Sequence, residues 1–234
     1  MKHRLAVFAS GEGTNFEAIA RACADGRIDA EVVLMVCDKP AAPVVGKAGR
    51  MGIRSFVFSP KDYGSKAEYE AEIVRRLDAE KVELVCLAGY MRILSDVLLN
   101  AYEGRIINIH PSLLPAFRGA HAVEQAVEYG VKVYGITMHY VNSELDGGRI
   151  IAQKAFEYDG SDPAEVHTRS RCQDTQRLPW PAIRGLDARG KAMKCGQHGV
   201  STKRFSVSER KARLNFSRMC LMRSVISSPG NISI

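Results

Sequence analysis

Apolar runs and amphipathic stretches alternate through the first two thirds of this chain. Apolar-rich runs occupy 5–9, 32–37, 55–59, 82–88, 106–109, 134–141 and 149–156. Between them the spacing turns helical. Phe16, Ile19, Ala20 and Cys23 fall on one face, 66–80 carries the clearest helical period, and 122–129 carries another. The early runs are almost continuously apolar, which suits strands covered on both faces, as in a parallel sheet. Strands alternating with helices predict an α/β fold with an open, doubly wound, mostly parallel sheet. Ligands of such sheets bind beyond the carboxyl ends of the strands. Motifs that directly follow a strand therefore carry the most weight.

Composition narrows the class. The chain has 234 residues, 46% hydrophobic and 25% charged, so it is long enough for a sizeable core and is not disordered throughout. No apolar run approaches the ~20 residues that cross a bilayer. The basic start, Met1 to Arg4, precedes an apolar stretch too short for a signal-peptide core. A cytoplasmic location is expected. The cysteines at 23, 37, 86, 172, 195 and 220 form no CxxC pair and read as free thiols in a reducing compartment.

The net charge of +7 is unevenly spread. Residues 1–167 hold 19 Lys and Arg against 23 Asp and Glu, whereas 168–234 hold 14 against 3. The basic balance belongs to the last third and says little about the main body.

Three motifs follow strands. The first is Gly11-Glu-Gly-Thr-Asn15, between a strand and a helix. Its glycines allow close backbone approach, and helix-start N–H groups with Thr14 and Asn15 can hold a phosphate. The alternative is a tight strand-to-helix turn with Thr14 or Asn15 as N-cap. A dinucleotide site is disfavoured: Asp38 ends the second strand, but Phe16 stands where a third glycine would fall. The second motif is Asn108-Ile-His-Pro-Ser-Leu-Leu-Pro115. Two residues apart on a strand, Asn108 and His110 point to the same side. An amide can donate to a developing oxyanion while an imidazole moves protons near neutral pH. The alternative is a buried histidine satisfied by backbone. The third motif is Glu144-Leu-Asp-Gly-Gly148, by default a hairpin turn. A carboxylate there would orient the His110 ring if the fold brought them together. His121 and His139 are further candidates, each more often structural. Neither HExxH nor HxH spacing occurs, so no metal site is expected, and no Gly-x-Ser-x-Gly elbow points to a serine hydrolase.

Ser10-Gly-Glu-Gly-Thr-Asn15, Leu87-Ala-Gly-Tyr-Met-Arg-Ile-Leu94, Asn108-Ile-His-Pro-Ser-Leu-Leu-Pro115 and Leu145-Asp-Gly-Gly148 occur in that order. Together they resemble the folate-dependent formyltransferase family over about residues 3–167. The resemblance implies a Rossmann-like formyltransferase fold and 10-formyltetrahydrofolate as formyl donor. The glycine turn resembles the branch that acts in purine synthesis, which implies the amine of glycinamide ribonucleotide as acceptor. Carried over residue by residue, it implies Asn108, His110 and Asp146 as the catalytic trio. It implies Gly11, Gly13, Thr14 and Asn15 as the phosphate turn. It implies Lys66, Met91, Arg92, Ile93, Leu94 and Asn108 as donor-binding residues. Arg105, beside the catalytic strand, is a candidate for an anionic substrate group. Small-molecule substrates, no metal, no membrane partner, and a monomer or homodimer are expected. Two sister activities stay open: a deformylase that passes the formyl group to water, and a transferase for another amine.

Beyond residue 167 the family pattern breaks. Asp174 and Thr175 stand where the family carries Glu and His, and 190–234 shows no resemblance. A formyltransferase domain over 1–185 and a poorly ordered basic tail over 186–234 are expected. The tail's Lys and Arg leave open an inactive member that binds a polyanion such as RNA. A short helix over 208–225 is a weaker expectation, and the spacing of Cys172, Cys195 and His198 matches no zinc-ligand pattern.

Overall fold

The structure is a computed structural model and describes residues 2–158. The expectations about the 168–185 segment, the basic tail, its helix and its cysteines lie outside these residues. The elements run β1 (His3–Phe8), α1 (Thr14–Ala24), β2 (Ala30–Cys37), α2 (Pro43–Arg50), β3 (Ser55–Val57) and α3 (Lys66–Ala79). They continue with β4 (Leu84–Leu87), α4 (Asp96–Ala101), β5 (Ile106–His110), α5 (Ala122–Tyr129), β6 (Val133–Tyr140) and β7 (Ile150–Glu157). The strands form one seven-stranded sheet in the order β3-β2-β1-β4-β5-β6-β7. The first five in that order run parallel, and β6 and β7 turn antiparallel. This is the doubly wound, mostly parallel sheet that the strand and helix pattern predicts.

Both faces of the parallel part are covered, which is why its strands lack polar alternation. Leu5, Val7, Met35, Cys86 and Ile107 pack with Phe16, Ile19 and Cys23 of α1 and with Val44 and Ala48 of α2. Ala6, Phe8, Val85, Leu87 and Ile106 pack with Tyr69, Ile73 and Leu77 of α3 and Leu98 of α4. Burying one such aliphatic side chain contributes about 1.5–3 kcal/mol. The second face matters most for function. Ile106, Asn108 and His110 alternate onto it along β5. The layer starts at buried Ile106 and ends, at the carboxyl edge, in two polar side chains.

The register aligns the functional segments. Phe8 pairs with Leu87, Leu87 with Asn108 and Asn108 with His139. At about 4.8 Å per strand, Asn108 lies roughly 10 Å from the end of β1, where the glycine turn begins.

Candidate active site

The glycine turn joins β1 to α1. Gly13 is the N-cap of α1, in the left-handed region at φ 69°, and no side chain caps the helix. The alternative reading with Thr14 or Asn15 as cap is thereby corrected: Thr14 is already the first helical residue. Gly13 is fixed by two constraints. Its φ disfavours any Cβ, and an added Cβ would sit 2.4 Å from Val44 Cγ2 of α2. The bare helix start leaves its first N–H groups free of side-chain caps, an arrangement suited to an anion. Asn15 Oδ1 is buried beside it without a hydrogen-bond partner.

The segment between β4 and α4 carries Met91, Arg92, Ile93 and Leu94. Met91 and Ile93 are 74% and 72% exposed, unusual for large apolar side chains, while Leu94 is buried. Arg92 Nε donates to Asp38 Oδ2 at 2.8 Å. Ser10 Oγ donates to the other Asp38 oxygen at 2.5 Å and accepts from Met91 N at 3.0 Å. Asp38 therefore belongs to this network, and both of its oxygens have partners within the chain. Lys66 opens α3, with Nζ 4.0 Å from the buried Glu70 carboxylate.

The third cluster gathers at the carboxyl end of β5. Asn108 Nδ2 donates to Asp146 Oδ1 at 3.4 Å and lies 3.2 Å from His139 Nε2. His110 Nδ1 lies 3.4 Å from Asp146 Oδ2, and His110 Nε2 lies 2.8 Å from Phe117 O. His139 Nδ1 lies 2.8 Å from Tyr140 O, and its Nε2 faces Asp146 Oδ1 at 3.5 Å as well as the Asn108 amide. Both neighbours of His110 are acceptors. A neutral ring satisfies one of them, and the imidazolium satisfies both.

Asp146 enters this cluster from the β6–β7 connection. The connection joins antiparallel neighbours, as the hairpin reading expected, but it is a wide loop rather than a two-residue turn. Asp146 takes φ 49°, a left-handed position that aspartate tolerates better than most residues. Gly148 has no room for a side chain, since a Cβ would meet Tyr140 O at 1.8 Å. The backbone thus folds tightly against β6 and turns the Asp146 carboxylate inward. Burial alone would raise its pKa. The His139 contact, the Gly119 N–H at 2.8 Å and the nearby His110 outweigh that and hold it below the ordinary carboxylate value. Asp146 is ionised at neutral pH.

Sequence reading placed two residues differently. Arg105 precedes β5, whereas His110 ends it, so they lie about 16 Å apart along the strand. Arg105 stacks over the Tyr102 ring at 4.3 Å and donates to Ala101 O at 2.6 Å. Its expected contact with a substrate anion is therefore corrected: adjacency in sequence put it at the wrong end of the strand. His139, which sequence alone marks as more often structural, joins the cluster directly. The missing signal was register, since only strand pairing puts it opposite Asn108. His121 caps α5 at the exposed surface and makes no side-chain cap bond.

Residues 3–179 match the family model described as formyl transferase. The chain belongs to the formyl transferase family. It is 50% identical over 191 residues to the phosphoribosylglycinamide formyltransferase of Bacillus subtilis (strain 168), covering 80% of this chain and 97% of that one. Among solved structures, glycinamide ribonucleotide transformylase 1 from Geobacillus kaustophilus superposes with a TM-score of 0.72 at 45% identity, covering 84% of this chain and all of that one. Phosphoribosylglycinamide formyltransferase from Bacillus halodurans gives 0.71 at 47% identity, covering 76% and 91%. The trifunctional purine biosynthetic protein adenosine-3 of Gallus gallus is 41% identical over 85% of this chain, which spans 20% of that longer protein. As a formyl transferase the chain is an enzyme of one-carbon transfer, and its clusters sit where a doubly wound sheet binds ligands. Among the described residues, no helix is long and apolar enough to cross a membrane, and no group of three His, Cys, Asp or Glu side chains is placed to hold a metal ion.

Proposed function

We propose that this formyl transferase moves the formyl group of 10-formyltetrahydrofolate to the amine of glycinamide ribonucleotide, a step of purine biosynthesis. The single observation that carries the reading is the meeting of Asn108, His110 and Asp146 on the sheet edge that also bears the bare-capped glycine turn. The names of the relatives favour the same acceptor over water or another amine.

The reaction follows from these groups. The acceptor amine attacks the formyl carbon, a C–N bond forms, and the carbonyl oxygen becomes an oxyanion. The Asn108 amide N–H and protonated His110 stabilise that charge. To face the substrate, His110 Nε2 exchanges the Phe117 carbonyl for the formyl oxygen. Ionised Asp146 faces His110 Nδ1 and orients the ring. The attacking amine loses a proton. The bond to N10 of the folate breaks, and N10 gains a proton as tetrahydrofolate leaves. His110 carries protons between these sites. The turn at Gly11, Gly13, Thr14 and Asn15 takes the ribonucleotide phosphate at the α1 N-terminus. Lys66 and Met91 to Leu94 receive the folate, with the exposed Met91 and Ile93 side chains against its flat rings.

The test is the rate of tetrahydrofolate formation by the purified full chain with 10-formyltetrahydrofolate, with and without glycinamide ribonucleotide. Turnover that requires the ribonucleotide is expected. Equal turnover without it makes the chain a deformylase and overturns the proposal. Absence of turnover from a folded chain, with salt-sensitive RNA binding, points to the polyanion-binding alternative.

A further inference from the structure

Residues 88–95 have no regular secondary structure, yet buried carboxylates from other elements hold them in the middle and at the Ser95 end. Ala88 N donates to Phe8 O at 2.8 Å, and Ser10 N donates to Gly89 O at 3.1 Å. Asp38, just past β2, holds Arg92 directly and Met91 through Ser10 Oγ. Glu70, on α3, accepts from Ser95 N at 2.9 Å and from Ser95 Oγ. The Asp38 and Glu70 side chains are 1% and 2% exposed. Two carboxylates taken out of water are costly unless fully hydrogen-bonded. Apart from Ser10 and the more distant Lys66, both direct their hydrogen bonds to this one segment. The segment meanwhile turns Met91 and Ile93 outward, which no folding requirement favours.

We propose that Asp38 and Glu70 are positioning residues that hold 88–95 in its ligand-ready shape before the donor arrives. Ordering of this segment then precedes binding, and its entropy does not count against donor affinity. The inference rests on the reading of Met91 and Ile93 as donor-facing. The two carboxylates differ in reach. Glu70 touches only the α4 end of the segment. Asp38 also holds Ser10, which opens the glycine turn, so it couples the donor and acceptor sides.

The experiment is calorimetric titration of the full chain with tetrahydrofolate and, separately, with glycinamide ribonucleotide. Glu70→Gln is expected to weaken tetrahydrofolate binding about tenfold and leave ribonucleotide binding within about twofold. Asp38→Asn is expected to weaken both. A lower melting temperature with unchanged affinities in both variants would make the carboxylates merely structural and overturn the inference. If Glu70→Gln fails to fold, Ser95→Ala keeps the backbone contact, removes the hydroxyl one, and is read the same way. The Met91→Ala/Ile93→Ala double variant separates the underlying reading. Unchanged tetrahydrofolate affinity there refutes the donor-facing role itself. Weakened affinity there beside an unaffected Glu70→Gln refutes only the positioning role.

Discussion

Asp146 Oδ2 faces His110 Nδ1 at 3.4 Å while accepting the Gly119 N–H at 2.8 Å. One carboxylate oxygen therefore fixes both the imidazole and the loop beyond it. Its partner oxygen takes Asn108 and faces His139. The site is organised around this carboxylate more than around the histidine. His110→Ala and Asp146→Asn should each lower turnover by about 10²–10⁴, the usual worth of a positioned acid–base group. Tetrahydrofolate binding, measured by titration, should survive in both. Near-normal turnover in both variants would remove the trio from the mechanism.

The depressed pKa of Asp146 ties the site to acid stability. A carboxyl whose folded value lies below its unfolded value of 3.8 stabilises the fold fully above the unfolded value. That contribution fades as pH falls through the folded value. Urea unfolding should therefore show the wild type and Asp146→Asn drawing closer in stability as pH drops below about 4. A stability difference that grows toward acid would contradict the assignment of the shift to ion pairing and hydrogen bonding.

Gly13→Ala should both destabilise the chain and weaken ribonucleotide binding. The new methyl meets Val44 of α2 and the residue keeps a left-handed φ, together about 1–3 kcal/mol. Adding Val44→Ala should recover part of the stability, because it relieves the contact and not the dihedral. Loss confined to folate affinity would refute the phosphate role of the turn.

Thr137 is buried on β6 opposite His110, and its hydroxyl accepts from Leu114 N at 3.0 Å and donates to Ser112 O at 2.7 Å. It anchors the loop that brings the Phe117 carbonyl to His110. Thr137→Val preserves shape and leaves two backbone groups without their partner, a cost of about 1–3 kcal/mol. Urea unfolding should report that loss, and turnover should fall as the loop loosens. Unchanged stability would mean that the loop is held elsewhere.

How much of this was legible in the sequence depends on the range of the interaction. Strands and helices were readable because apolar spacing is local, and both-face burial of β1 and β4 left runs without polar alternation. Asn108 and His110 sharing a side followed from the two-residue strand period alone. The inward turn of Asp146 was not readable, since it depends on a left-handed residue and on Gly148 packed against Tyr140 O. His139 needed the β5–β6 register, and Asp38 and Glu70 needed tertiary packing to reveal that they grip one loop. Arg105 shows the converse failure: a neighbour in sequence can lie at the far end of a strand.

The most direct test of the central claim uses 10-formyltetrahydrofolate labelled with carbon-13 in the formyl group, full-length chain and glycinamide ribonucleotide, followed by mass spectrometry of the products. The account predicts label on the amine nitrogen of the ribonucleotide, and loss of that product in His110→Ala. Label recovered as formate, or a labelled ribonucleotide formed equally well by His110→Ala, would contradict it.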